Sequence, residues 1–171
     1  PVDRIKIVEF NQLKAMELKG AFAILKQQYA NLAEPEHQQA FKYDLFISYS
    51  HENTREVDFL YGELKKLKPD LRIFLDRQDL SAGSAWQTDL YETLDECKKV
   101  IAVYSPTYLT SRVCKEEYNI ALMRHREEGD VLIPLYLYSA NLPTYMKLIQ
   151  FIDCREYDQT KILDACRVIV G

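Results

Sequence analysis

The chain has 171 residues, of which 47% are hydrophobic, and this is enough to bury one core beside a short extension. Its 22 basic and 26 acidic residues give a formal net charge of −4, so the chain lacks the basic surface that binds phosphates, and we expect no nucleic-acid partner. No apolar run reaches the roughly 18 residues that are needed to span a bilayer. We therefore expect no membrane contact from this part of the protein.

The first residues, from Pro1 to Arg4, include neither a starting Met nor a signal-peptide pattern. We therefore expect a piece of a longer protein, in which a missing domain of the same chain regulates this one. The four cysteines form no C-x-x-C pair, and the three histidines lie at no metal-ligand spacing from them. This pattern predicts reduced thiols and no metal site.

An apolar stripe runs through the first 34 residues at helical spacing: Leu18, Phe22, Leu25, Tyr29 and Leu32. Such a helix packs either on its own domain or on a missing neighbour, or it serves as a dimerisation or inter-domain helix. Pro35 and the polar residues that follow it mark a boundary. We predict a helical extension, or a linker to a missing domain, over residues 1–41 and a second domain over residues 42–171.

Short apolar strands alternate with amphipathic helices in the second domain. Strands are predicted at residues 43–49, 71–75, 100–104, 131–136 and 149–152. The third of these runs is almost entirely apolar, which is typical of a central parallel strand. Apolar stripes indicate the helices between the strands, and the first and third of these helices end at Pro69 and Gly129. The stripes are Val57, Leu60, Leu64 and Leu67; Trp86, Leu90 and Leu94; and Tyr118 and Leu122; a final helix is predicted over residues 158–170.

This alternation predicts an α/β fold, a flavodoxin-like doubly wound sheet of five parallel strands preceded by the N-terminal helical extension. The five glycines form neither G-x-G-x-x-G nor G-x-x-x-x-G-K, which disfavours dinucleotide-binding domains and nucleotide triphosphatases. A response regulator, which shares this topology, needs a phospho-acceptor Asp with an acidic cluster. The third strand instead ends in Tyr104 and Ser105, so that class is excluded.

Three motifs occur in a fixed order along the second domain. The first is the run YDLFISYS at residues 43–50, and the second is the sequence FLD at residues 74–76 followed by Leu80, Gly83 and Trp86. The third is VYSPTYL at residues 103–109, followed by Ser111, Cys114 and Glu117. They lie in a domain of about 130 residues, and the domain is identified by them as a member of the Toll/interleukin-1 receptor (TIR) domain family.

The loop after the second strand distinguishes branches of this family. Toll-receptor TIR domains usually carry Pro-Gly there, whereas this chain has Ala82 and Gly83. The pattern D-x-x-x-L-x-x-G-x-x-W more closely resembles plant, bacterial and axon-degeneration TIR domains. Members of those branches include enzymes that cleave NAD⁺ at its nicotinamide–ribose bond. The resemblance implies that Glu117, three residues after Cys114, is the catalytic residue.

A carboxylate suits this reaction because nicotinamide leaves readily as a neutral molecule and the ribose develops oxocarbenium character. Glu117 could stabilise that charge. Tyr49 and Ser50 follow the first strand at the sheet edge where ligands bind, and Asp76 follows the second strand and could reach a ribose hydroxyl. Trp86 is the remaining candidate for substrate binding. NAD⁺ would be the substrate, and no cofactor is expected.

Each candidate also has an ordinary structural interpretation. Glu117 could be a solvated helix residue beside Glu116, Asp76 could cap a loop, and Trp86 could pack in the core. The family often has Trp at the position of Val113, where it helps to build the base-binding pocket. Because Val cannot stack on a base, another aromatic residue would have to do so; Tyr108 and Tyr118 are available.

The resemblance also implies self-association through the loop after the second strand. In TIR domains this loop commonly docks onto a neighbouring TIR domain, and a head-to-tail contact of that kind builds open assemblies. The residues expected to form the contact are Asp79, Leu80, Ala82 and Gly83, with Leu80 as an apolar knob and Gly83 providing the turn. The expected partners are other TIR domains, in a homo-oligomer that forms on activation.

Two functions remain open at this point. The first is a TIR signalling domain in the cytoplasm, or on the cytoplasmic side of a membrane, that self-associates and cleaves NAD⁺ in innate immune or cell-death signalling. The second is a TIR scaffold that nucleates a signalling complex without catalysis. The loop lacking Pro-Gly favours the enzyme, and Val113 favours the scaffold.

Overall fold

A computed structural model describes residues 41–75 and 84–171, with the backbone alone for residues 84–89. In this part of the chain one parallel sheet has the strand order β2-β1-β3-β4-β5. Its strands are β1, Tyr43–Ser48; β2, Ile73–Leu75; β3, Cys97–Tyr104; β4, Leu132–Tyr136; and β5, Ile152–Asp153. The predicted flavodoxin-like sheet of five parallel strands is thereby confirmed.

Five α-helices lie within the described residues: α1, Thr54–Leu67; α2, Ser84–Asp95; α3, Pro106–Thr110; α4, Arg112–Glu128; and α5, Gln159–Val170. Short 3₁₀ helices occur at His51–Asn53, Thr144–Lys147 and Arg155–Tyr157. The ends of several helices follow directly from side-chain caps. Ser105 caps α3, Ser111 caps α4 and Asp158 caps α5, because their side-chain oxygens accept backbone N–H groups of the first turn.

The sheet separates two apolar layers. Alternate residues of a strand point to opposite faces, so Phe46 of β1 packs with α2, α3 and α4, whereas Leu45 and Ile47 pack with α1 and α5. The helices α1 and α4 therefore cover different faces of the sheet. This arrangement positions the loops that follow β1 and β3 on opposite sides of the sheet centre.

Several predicted boundaries differ from the observed ones. The second strand was expected from Leu71 but begins at Ile73, because the backbone N–H and the guanidinium of Arg72 bind the carboxylate of Asp44, with 2.8 Å between Arg72 N and Asp44 Oδ2. The predicted fifth strand is present, but its bounds of 149–152 were wrong, since β5 contains only Ile152 and Asp153. A segment that short carries almost no periodicity to detect.

The third strand begins earlier than expected, at Cys97. Its first half contains Lys98 and Lys99, and Lys99 forms an ion pair with Asp130 at 2.8 Å, so the segment lacks the apolar character that defines the rest of β3. On α1, Leu67 was assigned to the buried stripe, but it is about half exposed at the last helical position.

Some predictions fall outside the described residues. These are the helical extension and the domain boundary before residue 41, and also the loop over residues 76–83. Within residues 41–75 and 84–171, no helix has both the length and the apolar character required to cross a membrane.

Gly129 ends α4 with a backbone conformation, φ +74° and ψ 153°, that is nearly exclusive to glycine. Gly129→Ala is therefore expected to lower the free energy of unfolding by about 1–3 kcal/mol, although a Cβ there would meet no atom within 4 Å. Gly62 within α1 is equally open, and Gly62→Ala should raise stability by up to about 1 kcal/mol because Ala favours the helix. Urea unfolding of both variants would test the opposite signs; equal shifts would contradict this interpretation of Gly129.

Candidate functional site

The carboxyl ends of β1 and β3 lie side by side at the centre of the sheet, where Ser48 is in register with Ala102. The chain leaves β1 toward α1 on one face and leaves β3 toward α3 and α4 on the other. In doubly wound sheets, ligands bind in the crevice between two such strand ends. The candidate site is therefore built from the residues that end β1, those that follow β3, and the first turns of α4.

Glu117 lies on the buried face of α4 and has no exposed surface. The other buried residues on this face are apolar and follow helical spacing: Cys114, Tyr118, Ala121 and Leu122. The cap of Ser111 on the backbone N–H of Cys114, at 3.3 Å, fixes the first turn of the helix. Glu117 is thus a carboxylate in a position that packing alone would give to an apolar residue.

Two hydroxyl groups link Glu117 to the strand ends. Ser48, the last residue of β1, donates a hydrogen bond from its Oγ to Oε2 of Glu117. The same Oγ lies 2.9 Å from Oη of Tyr108, a residue of α3. All three side chains are fully buried. The contacts therefore join β1, α3 and α4 at one point beneath the carboxyl edge of the sheet.

Tyr108 is fixed by its own backbone and stays protonated at neutral pH. Its N–H donates to Oγ of Ser105, the cap of α3, at 3.1 Å. Burial raises the pKa of Tyr108 well above its ordinary value, and the nearby charges of Cys114 and Glu117 raise it further. The phenol is therefore a hydrogen-bond donor over the physiological pH range.

A polar pocket of about 390 Å³ lies beside the ends of β1 and β3. At its base, Oδ1 of Asn53 accepts hydrogen bonds from Oγ of Ser105 at 2.7 Å and from Oγ1 of Thr107 at 3.2 Å. On its far side, Ser139 donates to the carboxylate of Glu156 at 3.1 Å. The two loops that border the crevice are thus bonded directly to each other through Asn53.

The structure brings together only some of the residues that sequence reasoning proposed. Tyr49 and Ser50 follow β1 directly and are both buried, close to the strand end that contacts Glu117. Asp76 and the proposed self-association residues lie outside the described residues: Asp79, Leu80, Ala82 and Gly83. Trp86 falls within the first turn of α2, for which only the backbone is described.

Two interpretations from the sequence are wrong. Glu117 is not a solvated helix residue but fully buried, whereas its neighbour Glu116 is partly exposed and forms an ion pair with Arg112 at 2.9 Å. Tyr108 and Tyr118 were candidates to stack on a base in place of a Trp at position 113. Both instead pack around Tyr104 in the core, with ring centroids 6.1 and 6.0 Å from its ring, and neither presents a face to the surface.

Sequence reasoning missed Ser48 and Asn53 and considered Tyr108 only as one available partner for stacking on a base. Ser48 is a polar residue at the end of an otherwise apolar buried strand, and this was a usable signal because a buried hydroxyl needs a partner. Its partner Glu117 is 69 residues further along the chain. Asn53 had no comparable signal in the sequence.

The four cysteines, Cys97, Cys114, Cys154 and Cys166, are buried and form no disulfide. Burial raises the pKa of the Cys97 thiol to about 12 and that of the Cys154 and Cys166 thiols to about 11, so these three remain protonated at neutral pH. Within the described part of the chain, no three His, Cys, Asp or Glu side chains are grouped in a way that could hold a metal ion.

Comparison with known proteins gives consistent matches. Residues 45–166, more than half of the chain, match the family described as TIR domain. The Toll-like receptor 2 of Capra hircus is 26% identical over 89 residues, which are 52% of this chain and 11% of that receptor. The disease resistance protein RUN1 of Vitis rotundifolia is 30% identical over 98 residues, which are 56% of this chain and 7% of that protein.

The fold matches that of a solved TIR domain. The TIR domain of the Toll-related receptor TRR-2 from Hydra magnipapillata superimposes with a TM-score of 0.60 at 19% identity, over 76% of this chain and all of that domain. The chain spans between 7% and 20% of the length of curated relatives that include a Toll-like receptor and a plant resistance protein. The family match over residues 45–166 and the parallel sheet agree, and the chain belongs to the Toll/interleukin-1 receptor (TIR) domain family.

Proposed function

We propose that this TIR domain cleaves NAD⁺ at the nicotinamide–ribose bond and that Glu117 is the catalytic carboxylate. The observation that carries the proposal is the position of Glu117, a fully buried carboxylate at the carboxyl end of β1, hydrogen-bonded to Ser48. An apolar residue would be less costly at this position, since a carboxylate loses its hydration on burial. A fold retains such a residue at a strand-end crevice when the carboxylate has chemistry to perform.

The reaction makes modest demands on the protein. The bond between C1′ of the ribose and the nicotinamide nitrogen breaks, and nicotinamide leaves with the bonding electrons as a neutral molecule. The ribose is left with oxocarbenium character, which a carboxylate stabilises electrostatically in a site of low dielectric constant. Water then attacks C1′ and loses a proton to give ADP-ribose; attack by the adenine ring of the same molecule gives a cyclic isomer instead.

We also propose that the domain works by self-association, in the cytoplasm or on the cytoplasmic side of a membrane, in innate immune or cell-death signalling. Its relatives named as a Toll-like receptor and a disease resistance protein support the signalling context. The loop with Asp79, Leu80, Ala82 and Gly83 is the proposed contact. Because Glu117 is fully buried, the site must open before substrate can reach it. We propose that contact between copies of the domain causes this opening.

A second function, a scaffold without catalysis, is favoured by the same burial. A carboxylate with no exposed surface cannot touch a ribose in this conformation. Val113 cannot stack on a base, and Tyr108 and Tyr118 pack in the core, so none of these three residues supplies the aromatic contact that the reaction needs. In this case Glu117 would have a structural role, which includes its hydrogen bond with Ser48.

NAD⁺ loss separates the two functions. We expect wild type at high concentration to consume NAD⁺, followed chromatographically, at a rate that rises faster than linearly with protein concentration. Glu117→Gln keeps the shape of the side chain and should slow the reaction by about 100-fold or more, as loss of a charge-stabilising group does. The matched control is Glu116→Gln, which alters the adjacent, partly exposed carboxylate and should retain the wild-type rate.

Each outcome of this experiment decides between the functions. Equal rates for wild type and Glu117→Gln would remove Glu117 from the chemistry. No NAD⁺ loss by any variant, even with the copies forced together on a surface, would establish the scaffold.

A further inference from the structure

We propose that Ser48 and Tyr108 are positioning residues, which form a donor chain from the Tyr108 hydroxyl through the Ser48 hydroxyl to Glu117 and keep that carboxylate ionised within the core. This inference rests on the proposed function, because positioning matters to the reaction only if Glu117 takes part in it. The contacts themselves exist whether or not the chain cleaves NAD⁺.

The direction of the donor chain follows from counting protons. A serine hydroxyl has one hydrogen, and with Glu117 ionised, as we propose, that hydrogen goes to Oε2 of Glu117. Oγ of Ser48 must therefore act as the acceptor in its 2.9 Å contact with Oη of Tyr108, which supplies its own hydrogen. An ionised carboxylate only accepts hydrogen bonds, so it is the natural end of such a chain. Successive hydroxyls polarise one another and strengthen the final bond.

The other groups facing Glu117 do not compete for these roles. From α2, Tyr91 donates to Oε2 of Glu116 at 3.1 Å rather than to Glu117. Burial raises the pKa of Tyr91, and its bond to Glu116 raises it further, so Tyr91 stays neutral. From α4 itself, Cys114 is buried one turn before Glu117. Ser48 from β1 and Tyr108 from α3 are the two hydroxyl groups that the described contacts link to Glu117.

Placement makes this chain suited to the proposed reaction. Ser48 ends β1 and Tyr108 follows β3, so the two donors come from the two sides of the crevice in which ligands bind. A carboxylate that is ionised before substrate arrives can stabilise an oxocarbenium ion at once, whereas a protonated one cannot. The donor chain thus determines both the orientation and the charge of Glu117.

The test is a titration of Glu117 itself, with glutamate labelled by ¹³C at the side-chain carboxyl and followed by NMR. The resonance of Glu117 is identified by its loss in Glu117→Gln. Ser48→Ala removes the donor, and we expect the titration midpoint of Glu117 to rise by about one pH unit or more, since hydrogen bonds to charged groups are strong. Tyr108→Phe removes the outer donor and should shift the midpoint in the same direction by a smaller amount.

Two further variants separate positioning from general damage to the core. Ser48→Thr restores a hydroxyl and should return the midpoint to within about 0.3 pH units of wild type, well inside the effect of one such bond. Tyr91→Phe removes a neighbouring phenol that serves Glu116 and should leave Glu117 unchanged. If Ser48→Ala does not fold, the test is the difference between the titration midpoints of Glu117 in Tyr108→Phe and in Tyr91→Phe.

The inference is overturned if Ser48→Ala shifts the titration midpoint of Glu117 no more than Tyr91→Phe does. Where Ser48→Ala is unfolded, the same criterion applies to Tyr108→Phe. A downward shift would also overturn it, because Glu117 would then be the donor. Failure of the proposed function is read separately, in the NAD⁺ assay. An upward shift without any NAD⁺ loss would leave the donor chain established and the enzyme disproved.

Discussion

Arg124→Met is expected to lower the free energy of unfolding by about 3 kcal/mol, because two buried carbonyl groups lose their donor. Nη1 of Arg124 donates to the carbonyl oxygens of Leu94 and Cys97, which lie at the end of α2 and the start of β3. Its Nε and Nη2 donate hydrogen bonds to the two carboxylate oxygens of Glu128 at 2.9 and 3.0 Å. One guanidinium therefore fastens α4 to the turn that connects α2 with β3.

The matched control for this prediction is Arg126→Met, on the same helix but exposed, which should change stability by no more than about 0.5 kcal/mol. Arg124→Lys keeps the positive charge, but its single ammonium group cannot donate to both carbonyls and to the carboxylate as the planar guanidinium does. Its unfolding midpoint should therefore lie between those of the two Met variants. Urea unfolding midpoints at pH 7 measure all three. Equal midpoints for the two Met variants would show that the buried contacts of Arg124 contribute nothing.

Phe46→Ala is expected to cost about 3–5 kcal/mol, the range for removing a large aromatic side chain from a packed core. Phe46 is fully buried in β1 and stacks on Phe74 of β2, with ring centroids 5.3 Å apart. Because β2 has only three residues and lies at the edge of the sheet, loss of this ring pair should weaken β2 more than the inner strands. We therefore expect the amides of β2 to lose more protection from hydrogen exchange than those of β4.

The control for Phe46→Ala is Leu148→Ala, which removes a side chain that is 70% exposed and should be nearly neutral. Hydrogen exchange under native conditions, compared strand by strand, measures the local effect, and thermal unfolding measures the global one. A uniform loss of protection across β1 to β5 would contradict a specific anchoring of β2 by Phe46.

The fold could be predicted where several signals coincide in a short stretch. The apolar run that ends at Tyr104 was recognised as a central strand, and Ser105 and Pro106 after it do form the cap and first turn of α3. The last helix was predicted from residue 158, and Asp158 is its cap. The extent of β3 was underestimated because Lys98 and Lys99 satisfy their polar groups at the surface and dilute the apolar pattern.

The candidate site was predicted less completely because its contacts join distant parts of the chain. A Glu beside Lys115 and Glu116 resembles a solvated helix face, although the phase of Cys114, Tyr118 and Ala121 already placed position 117 on the apolar stripe. The bond from Ser48 to Glu117 spans 69 residues, and its contact with Tyr108 spans 60. Local periodicity contains no information on such pairs, since they depend on strand order and helix placement.

Glu117 is a residue that selection for stability alone would discard. An apolar side chain of similar volume in the stripe of α4 is expected to be neutral or stabilising, because a buried carboxylate gives up its hydration. Lineages that use the domain only for assembly are therefore free to drift away from Glu at this position, whereas lineages that depend on its chemistry must tolerate the cost. Among relatives, the residue at this helix position would therefore distinguish TIR domains that retain the reaction from those that retain only assembly.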